Sequence, residues 1–291
     1  LYGAYGLADA RDIFISSVKN RFGLEVEMTV ARGPELAAKL ITERRAGLYV
    51  ADVYLGGATT IVASLFPEKI LDPIEPYIIL PEVKDPAMWL GGKLPIWDKE
   101  RRAFSSLAQV STRTAINTSF VKQEEITSYQ DLLNPKWRGK IIMSDPTVTG
   151  SGHSWASLAV WLNSADYLKE LVKQEPFLTR DSRQLSEWLA RGKYVIGLGI
   201  DTGATQNFIR AGTSLWIVPS FKEGAELRGS AGHVGMINKP AHPSSAKTFL
   251  NWILSKDGQT MLSKANGVAS RRLDVPTDHL ERWQVPDLKV N

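Results

Sequence analysis

The chain contains no cysteine. This excludes disulfides, thiolate zinc sites and cysteine nucleophiles. No apolar run approaches the roughly 20 residues that a membrane-crossing helix needs. Charge of one sign never accumulates: 35 Lys and Arg are interspersed with 31 Asp and Glu. The net charge of +4 therefore describes a mixed, solvated surface and not a nucleic-acid-binding arm. The chain also lacks a GxSxG elbow, an HExxH pair, a Walker loop and a GxGxxG turn. Thr149-Gly150-Ser151-Gly152 sets a serine between glycines, but without the elbow spacing. The expectation is a protein that is not an enzyme and carries no cofactor. No signal peptide is visible, and Leu1-Tyr2-Gly3-Ala4 reads like strand from its first residue. An export signal upstream, already removed, is the expectation.

What is present is an alternation of short apolar runs and amphipathic stretches, over a length sufficient for two cores. Leu1–Ala4, Leu24–Val30 and Tyr49–Leu55 read as strands, with helices over Ala8–Phe22 and Pro34–Ala46 and from Gly56-Gly57-Ala58 through Leu65. Prolines at 73, 76, 81, 86 and 95 mark a loop-rich stretch holding Trp89 and Trp97. Phe104–Asn117 reads as one long extended segment. Strands Lys140–Met143, Tyr194–Ile200 and Val234–Asn238 follow, with helices over Ser182–Arg191, from Gly203, and over Ser244–Ser255 and Lys256–Ala265. This order predicts an α/β protein with parallel or mixed sheets covered by helices. Trp155, Trp161, Trp188 and Trp252 fall in helical apolar patterns and are expected in the core.

Ser144-Asp145-Pro146-Thr147-Val148-Thr149-Gly150-Ser151-Gly152-His153 joins a strand to a helix through hydroxyls and glycines. Such a turn can hold an anion on the free N–H groups of the helix start. It is equally a way to cap a helix. Gly57-Ala58 and Tyr5-Gly6 are similar turns, the tyrosine able to stack on or hydrogen-bond a ligand. Of the four histidines, only His153 falls in a candidate loop. Candidate cations for an anion are Arg113, Arg180, Arg183, Arg271 and Arg272, with Arg113 and Arg180 preferred. Asp201 with Thr202 could meet a ligand's hydroxyl or ammonium, or cap the helix that follows.

The order of motifs is similar to that of the periplasmic solute-binding proteins of ATP-driven importers, in the ferric-ion-binding-protein-like branch. The residues that carry the resemblance run through most of the chain. They are Ala51-Asp52-Val53, then Ala115-Ile116-Asn117-Thr118, then Asp131-Leu132-Leu133-Asn134-Pro135-Lys136-Trp137-Arg138-Gly139-Lys140-Ile141 followed by Asp145-Pro146-Thr147. The ending Ala241-His242-Pro243, Ala246, Phe249 and Ser255-Lys256-Asp257-Gly258-Gln259 also matches. The resemblance implies a two-lobed type 2 periplasmic binding fold with two crossover strands as hinge. One lobe would take residues 1–107 and 231–291, the other 108–230. It also implies capture of a solute between the lobes, a permease as partner, a monomer, no nucleic acid, and a periplasmic or extracellular location.

The iron-binding members of that branch place a tyrosine pair where this chain has Asp201-Thr202-Gly203-Ala204. No metal site is therefore expected, and the favoured solute is a small organic anion: a carboxylate, a phosphonate or a sugar phosphate. The expected contacts are Tyr5, Gly6, Gly57, Ala58, Arg113, Thr147, Thr149, Gly150, Ser151, Gly152, His153, Arg180, Asp201 and Thr202. Ferric iron held through a bound anion, and a cationic or aromatic solute such as a thiamine-like compound, are the alternatives.

Overall fold

Helix Gly33–Arg45 shows how the sequence encodes its elements. Pro34 stands in the first turn, and the Glu35 carboxylate accepts from the Arg32 N–H. Leu36, Ala37 and Leu40 form its buried face, while Arg44 and Arg45 occupy the last turn, where the helix dipole favours cations. A computed structural model describes residues 1–4, 11–148, 150–230 and 232–287. They divide into two units, one formed by Leu1–Gln109 with Arg228–Leu288, the other by Val110–Leu227.

The first unit is built on a six-stranded sheet. Strand Tyr2–Ala4 pairs parallel with Thr29–Ala31 on one side and Val53–Gly56 on the other. His233–Ile237 then pairs antiparallel with Val53–Gly56, Leu71–Asp72 and Ala103–Ser105. Successive residues of a strand face opposite sides, and the core divides accordingly. Val53 and Leu55 pack with Phe14, Val18, Val234 and Met236, whereas Tyr54 packs with Leu36, Leu40, Ile61 and Leu65.

The second unit has a five-stranded sheet in the order Leu215–Val218, Thr114–Asn117, Ile196–Leu198, Ile141–Ser144, Phe177–Thr179. The last three strands are mutually parallel, and Thr114–Asn117 is antiparallel to both of its neighbours. Ile141 and Met143 face Trp155, Leu198 and Tyr129, while Ile142 faces Leu185, Leu189 and Ile217.

Several elements are shorter than their patterns predict. Leu24–Val30 forms strand only at Thr29–Ala31, and Tyr49–Leu55 only at Val53–Gly56. Leu48-Tyr49-Val50 is an exposed loop. Phe104–Asn117 breaks into Ala103–Ser105, Leu107–Ser111 and Thr114–Asn117, with Arg113 at φ 51° between the last two. Trp155 and Trp252 are core residues as expected, and Trp188 is partly buried. Trp161 is not in the core: it is 81% exposed, on the face of helix Ser151–Leu162 opposite to Trp155, Ala156 and Ala159.

Candidate functional site

In the second unit the parallel strands Ile141–Ser144, Phe177–Thr179 and Ile196–Leu198 end at one level, with Ser144 opposite Thr179 and Met143 opposite Leu198. The segments leaving their carboxyl ends lead into helices Ser151–Leu162, Ser182–Ala190 and Thr202–Arg210. Three helix N-termini therefore lie along the sheet edge where ligands bind in open α/β folds. Their caps differ. Asp181 accepts from Arg183 and Gln184 N–H, and Asp201 from Ala204 N–H. Helix Ser151–Leu162 begins on Gly150 with no side-chain cap. Its first N–H groups keep their partial positive charge for another acceptor.

Asp145 organises the turn before that helix. Its carboxylate accepts from the Thr147 hydroxyl at 2.6 Å, the Thr147 N–H at 2.9 Å and the Arg180 Nε at 2.8 Å. The Thr147 hydroxyl, then the Arg180 guanidinium and the Thr147 N–H, hold the carboxyl down at about 2. The Ser151 hydroxyl reaches Ser144 at 3.4 Å, and His153 Nδ1 lies 3.2 Å from the Pro146 carbonyl oxygen. The Thr202 hydroxyl oxygen is buried without a partner among the described residues.

The glycines of this edge serve two different ends. A Cβ on Gly152 would stand 2.2 Å from the Ser144 carbonyl oxygen, and one on Gly199 would stand 2.6 Å from the Gly152 Cα. These two let the helix start press against the strands. A Cβ on Gly150 would meet nothing within 4 Å. The same contrast appears in the first unit. A Cβ on Gly56 would strike the Tyr54 ring, whereas one on Gly57 would meet open space. Gly57 starts the helical turn Ala58–Thr60, again without a side-chain cap.

The two preferred cations are engaged. Arg113 is buried and donates from Nε to Glu226 at 3.0 Å. Its carbonyl oxygen accepts from Ile200 N–H, which sets it on the same edge as Asp201. Arg180 is exposed and paired with Asp145. Arg272 is structural: it pairs with Asp274 and donates to the Leu254 carbonyl oxygen. Tyr5, Gly6 and Thr149 lie outside the described residues. Thus Arg113, Thr147, Gly150, Ser151, Gly152, His153, Arg180, Asp201 and Thr202 share one edge of the second unit, and Gly57 and Ala58 belong to the first.

His233 was not singled out by the sequence. It pairs with Gly56 and Ser105 in the sheet, beside the Gly57 turn. Its ring is 5% exposed, lies edge-on to Trp97, and holds Nδ1 without a partner among the described residues. Burial, with the charges of Arg271 and Arg228 and against the backbone of Ser230 and Gly56, pushes its imidazole down to about 4. The unfolded chain takes up this proton near the ordinary value of about 6.5, so stability is full above that pH and declines as pH falls toward 4. The expected loss is roughly 3 kcal/mol across that window. Urea unfolding from pH 7 to pH 4 measures it, and His233→Gln should flatten the profile. An unaltered slope in the variant would assign the acid sensitivity elsewhere.

The fold is that of the two-lobed periplasmic binding proteins. A putative extracellular solute-binding protein from Bordetella parapertussis superposes with TM-score 0.75 at 16% identity, over 100% of this chain and 91% of that one. A ferric binding protein from Campylobacter jejuni gives TM-score 0.69 at 18% identity, covering 97% and 88%. The periplasmic binding protein AfuA from Actinobacillus pleuropneumoniae, with fructose-6-phosphate bound, gives 0.64 at 20%, covering 99% and 88%. The chain belongs to the bacterial extracellular solute-binding protein family, whose profile matches residues 15–286. The resemblance carried by the sequence motifs is thereby borne out. A curated relative from Haemophilus influenzae, itself an uncharacterized protein, is 30% identical over 141 residues, which are 47% of this chain and 39% of the relative. The match thus spans less than half of that relative's length.

Proposed function

We propose that this protein is the extracytoplasmic solute-binding component of an ABC importer and that its solute is a small organic anion, a carboxylate, phosphonate or sugar phosphate, passed on to a membrane permease. The observation that carries the reading is the helix start at Gly150. It alone of the three N-termini on its edge lacks a side-chain cap, and it has open space at its first glycine. An anion placed there meets the N–H groups of the helix start, the dipole of the helix and the Ser151 hydroxyl. Gly57, also uncapped and open, is the corresponding candidate contact of the first unit. Family membership supports solute capture, and the fructose-6-phosphate held by one structural neighbour supports the anion reading.

Ferric iron carried with a bound anion is the second reading, because one neighbour, from Trichodesmium, holds iron together with citrate. Mass spectrometry of the purified protein under native and then denaturing conditions separates the two. Release of an organic anion without iron supports the proposal, and release of iron overturns it. If no mass is released, a thermal-shift panel follows, in which a solute at ~100 times its dissociation constant adds about 2.7 kcal/mol. Silence across carboxylates, phosphonates and sugar phosphates would sink the anion reading.

Gly57→Ala tests the first unit's contact. The backbone there, φ −86° and ψ 147°, accepts alanine. With no atom near the added methyl, stability should hold or rise by about 0.4–1 kcal/mol. Affinity for the solute is expected to fall ~10-fold, since the methyl stands where the ligand approaches. Equal affinity in calorimetry would remove Gly57 from the site.

A further inference from the structure

The end of the first unit's sheet away from Gly57 carries a second cluster of charge. Helix Gly33–Arg45 ends there on Arg44 and Arg45, and strand His233–Ile237 is followed by Asn238 and Lys239. Arg45 pairs with Glu68 at 3.0 Å. Arg44 pairs with no carboxylate among the described residues. Its Nη2 donates to the Asn238 carbonyl oxygen, while Nε and Nη1 are buried without a partner among the described residues. The acids whose charge reaches it are engaged elsewhere: Glu43 holds Lys39 and the Tyr2 hydroxyl, Asp52 holds His242, and Asp72 accepts from the Tyr77 hydroxyl.

The Arg44 guanidinium lies 4.3 Å from the centre of the Tyr49 ring, and the Lys239 ammonium lies 5.4 Å from the same centre. Lys239 makes no ion pair among the described residues. A cavity of about 220 Å³ opens between Arg44, Arg45, Tyr49, Glu68, Asn238 and Lys239. Two cations drawn to one ring repel each other, and buried guanidinium donors without acceptors are costly. An oxyanion between the two cations offsets their repulsion through charge-assisted hydrogen bonds. The cavity is smaller than the roughly 300–1,000 Å³ of whole-metabolite pockets, so it fits an anionic group.

We propose that this cavity is an oxyanion site, distinct from the solute site, which binds a phosphate group through Arg44 and Lys239. Leu48, Tyr49 and Val50, exposed by 55%, 40% and 57%, flank it. The phosphate can therefore be free or can be the headgroup of a phospholipid whose apolar part meets this ridge.

The test is calorimetric titration with inorganic phosphate and co-sedimentation with phosphatidylglycerol-containing vesicles. It uses the full chain, Arg44→Met and Lys239→Gln. The expected result is saturable binding of at least one probe, weakened about tenfold or more by Arg44→Met and less by Lys239→Gln. A response to free phosphate assigns a soluble anion, and a response to vesicles alone assigns a headgroup. No saturable response to either probe overturns the site, as does a response that survives both substitutions. Circular dichroism checks the fold of Arg44→Met; should it be lost, Lys239→Gln alone decides.

Discussion

Replacing Gly152 with alanine is expected to destabilise the second unit and abolish solute binding together. The added methyl would stand 2.2 Å from the Ser144 carbonyl oxygen and 2.9 Å from that of Asp145. Both contacts are backbone, so no side chain can swing aside. Relief requires helix Ser151–Leu162 to back away from the strand end, which also pulls it off Gly199. Overpacking of this kind costs typically 1–3 kcal/mol, and here, against fixed backbone, about 3 kcal/mol or more. The displacement also moves the helix-start N–H groups proposed to hold the anion. A misplacement of 1 Å is large on the scale of a hydrogen bond. Urea unfolding and calorimetry on the same sample check both halves. A variant with native stability would contradict the packing described. A destabilised variant that still binds would remove this helix start from the site. Gly57→Ala is the counterpart, since the same chemical change there should spare stability and reduce affinity.

The second large effect belongs to the first unit. Asp274→Asn should cost about 3–5 kcal/mol, because it leaves the Arg272 guanidinium buried without its counter-charge. The Arg272 side chain is 2% exposed and meets Asp274 through Nε at 2.8 Å and Nη2 at 3.3 Å. Its Nη1 donates to the Leu254 carbonyl oxygen at 3.2 Å, so the group also ties the end of helix Pro243–Leu254 to the turn after strand Ala269–Ser270. Breaking one half of such a pair is far more costly than replacing both halves by apolar groups. The double variant Arg272→Met with Asp274→Leu should therefore recover much of the loss. Thermal unfolding of the single and double variants tests this, and a double variant no more stable than Asp274→Asn would show that the carbonyl bond to Leu254 matters more than the charge.

Much of this architecture is legible in local residues. Asp181 and Asp201 announce their helices by the hydrogen bonds that such residues make to N–H groups two and three positions on. Pro34-Glu35 does the same for helix Gly33–Arg45. What local pattern could not supply is anything decided by a distant partner. Leu24–Val30 alternates like a strand, yet only Thr29–Ala31 lies alongside Tyr2–Ala4 and finds backbone to bond. Arg113 looks available for a ligand until Glu226 is placed beside it. His233 follows a glycine-rich loop with nothing to mark it, and its burial arises from its register with Gly56 and Ser105. Gly150 and Gly152 are alike as letters. Only the position of the Ser144 carbonyl shows that one is open and the other filled. Trp161 lies on the stripe of helix Ser151–Leu162 that also carries His153, Ser154 and Ser157, so the helical period itself places it toward solvent, and only its apolar character argued for the core.

The pairing of the first unit's sheet has a consequence for synthesis. Val53–Gly56, Leu71–Asp72 and Ala103–Ser105 all bond to His233–Ile237, a strand that leaves the ribosome only after the whole of Val110–Leu227. The second unit's sheet is drawn entirely from its own continuous segment and can close first. Until residue 237 emerges, Val53–Gly56, Leu71–Asp72 and Ala103–Ser105 wait with unpaired edges, the condition under which nascent proteins are most prone to wrong partners. The first unit, whose strands start ahead of the second unit, is thus completed after it, and it is the unit for which a holdase has most to protect.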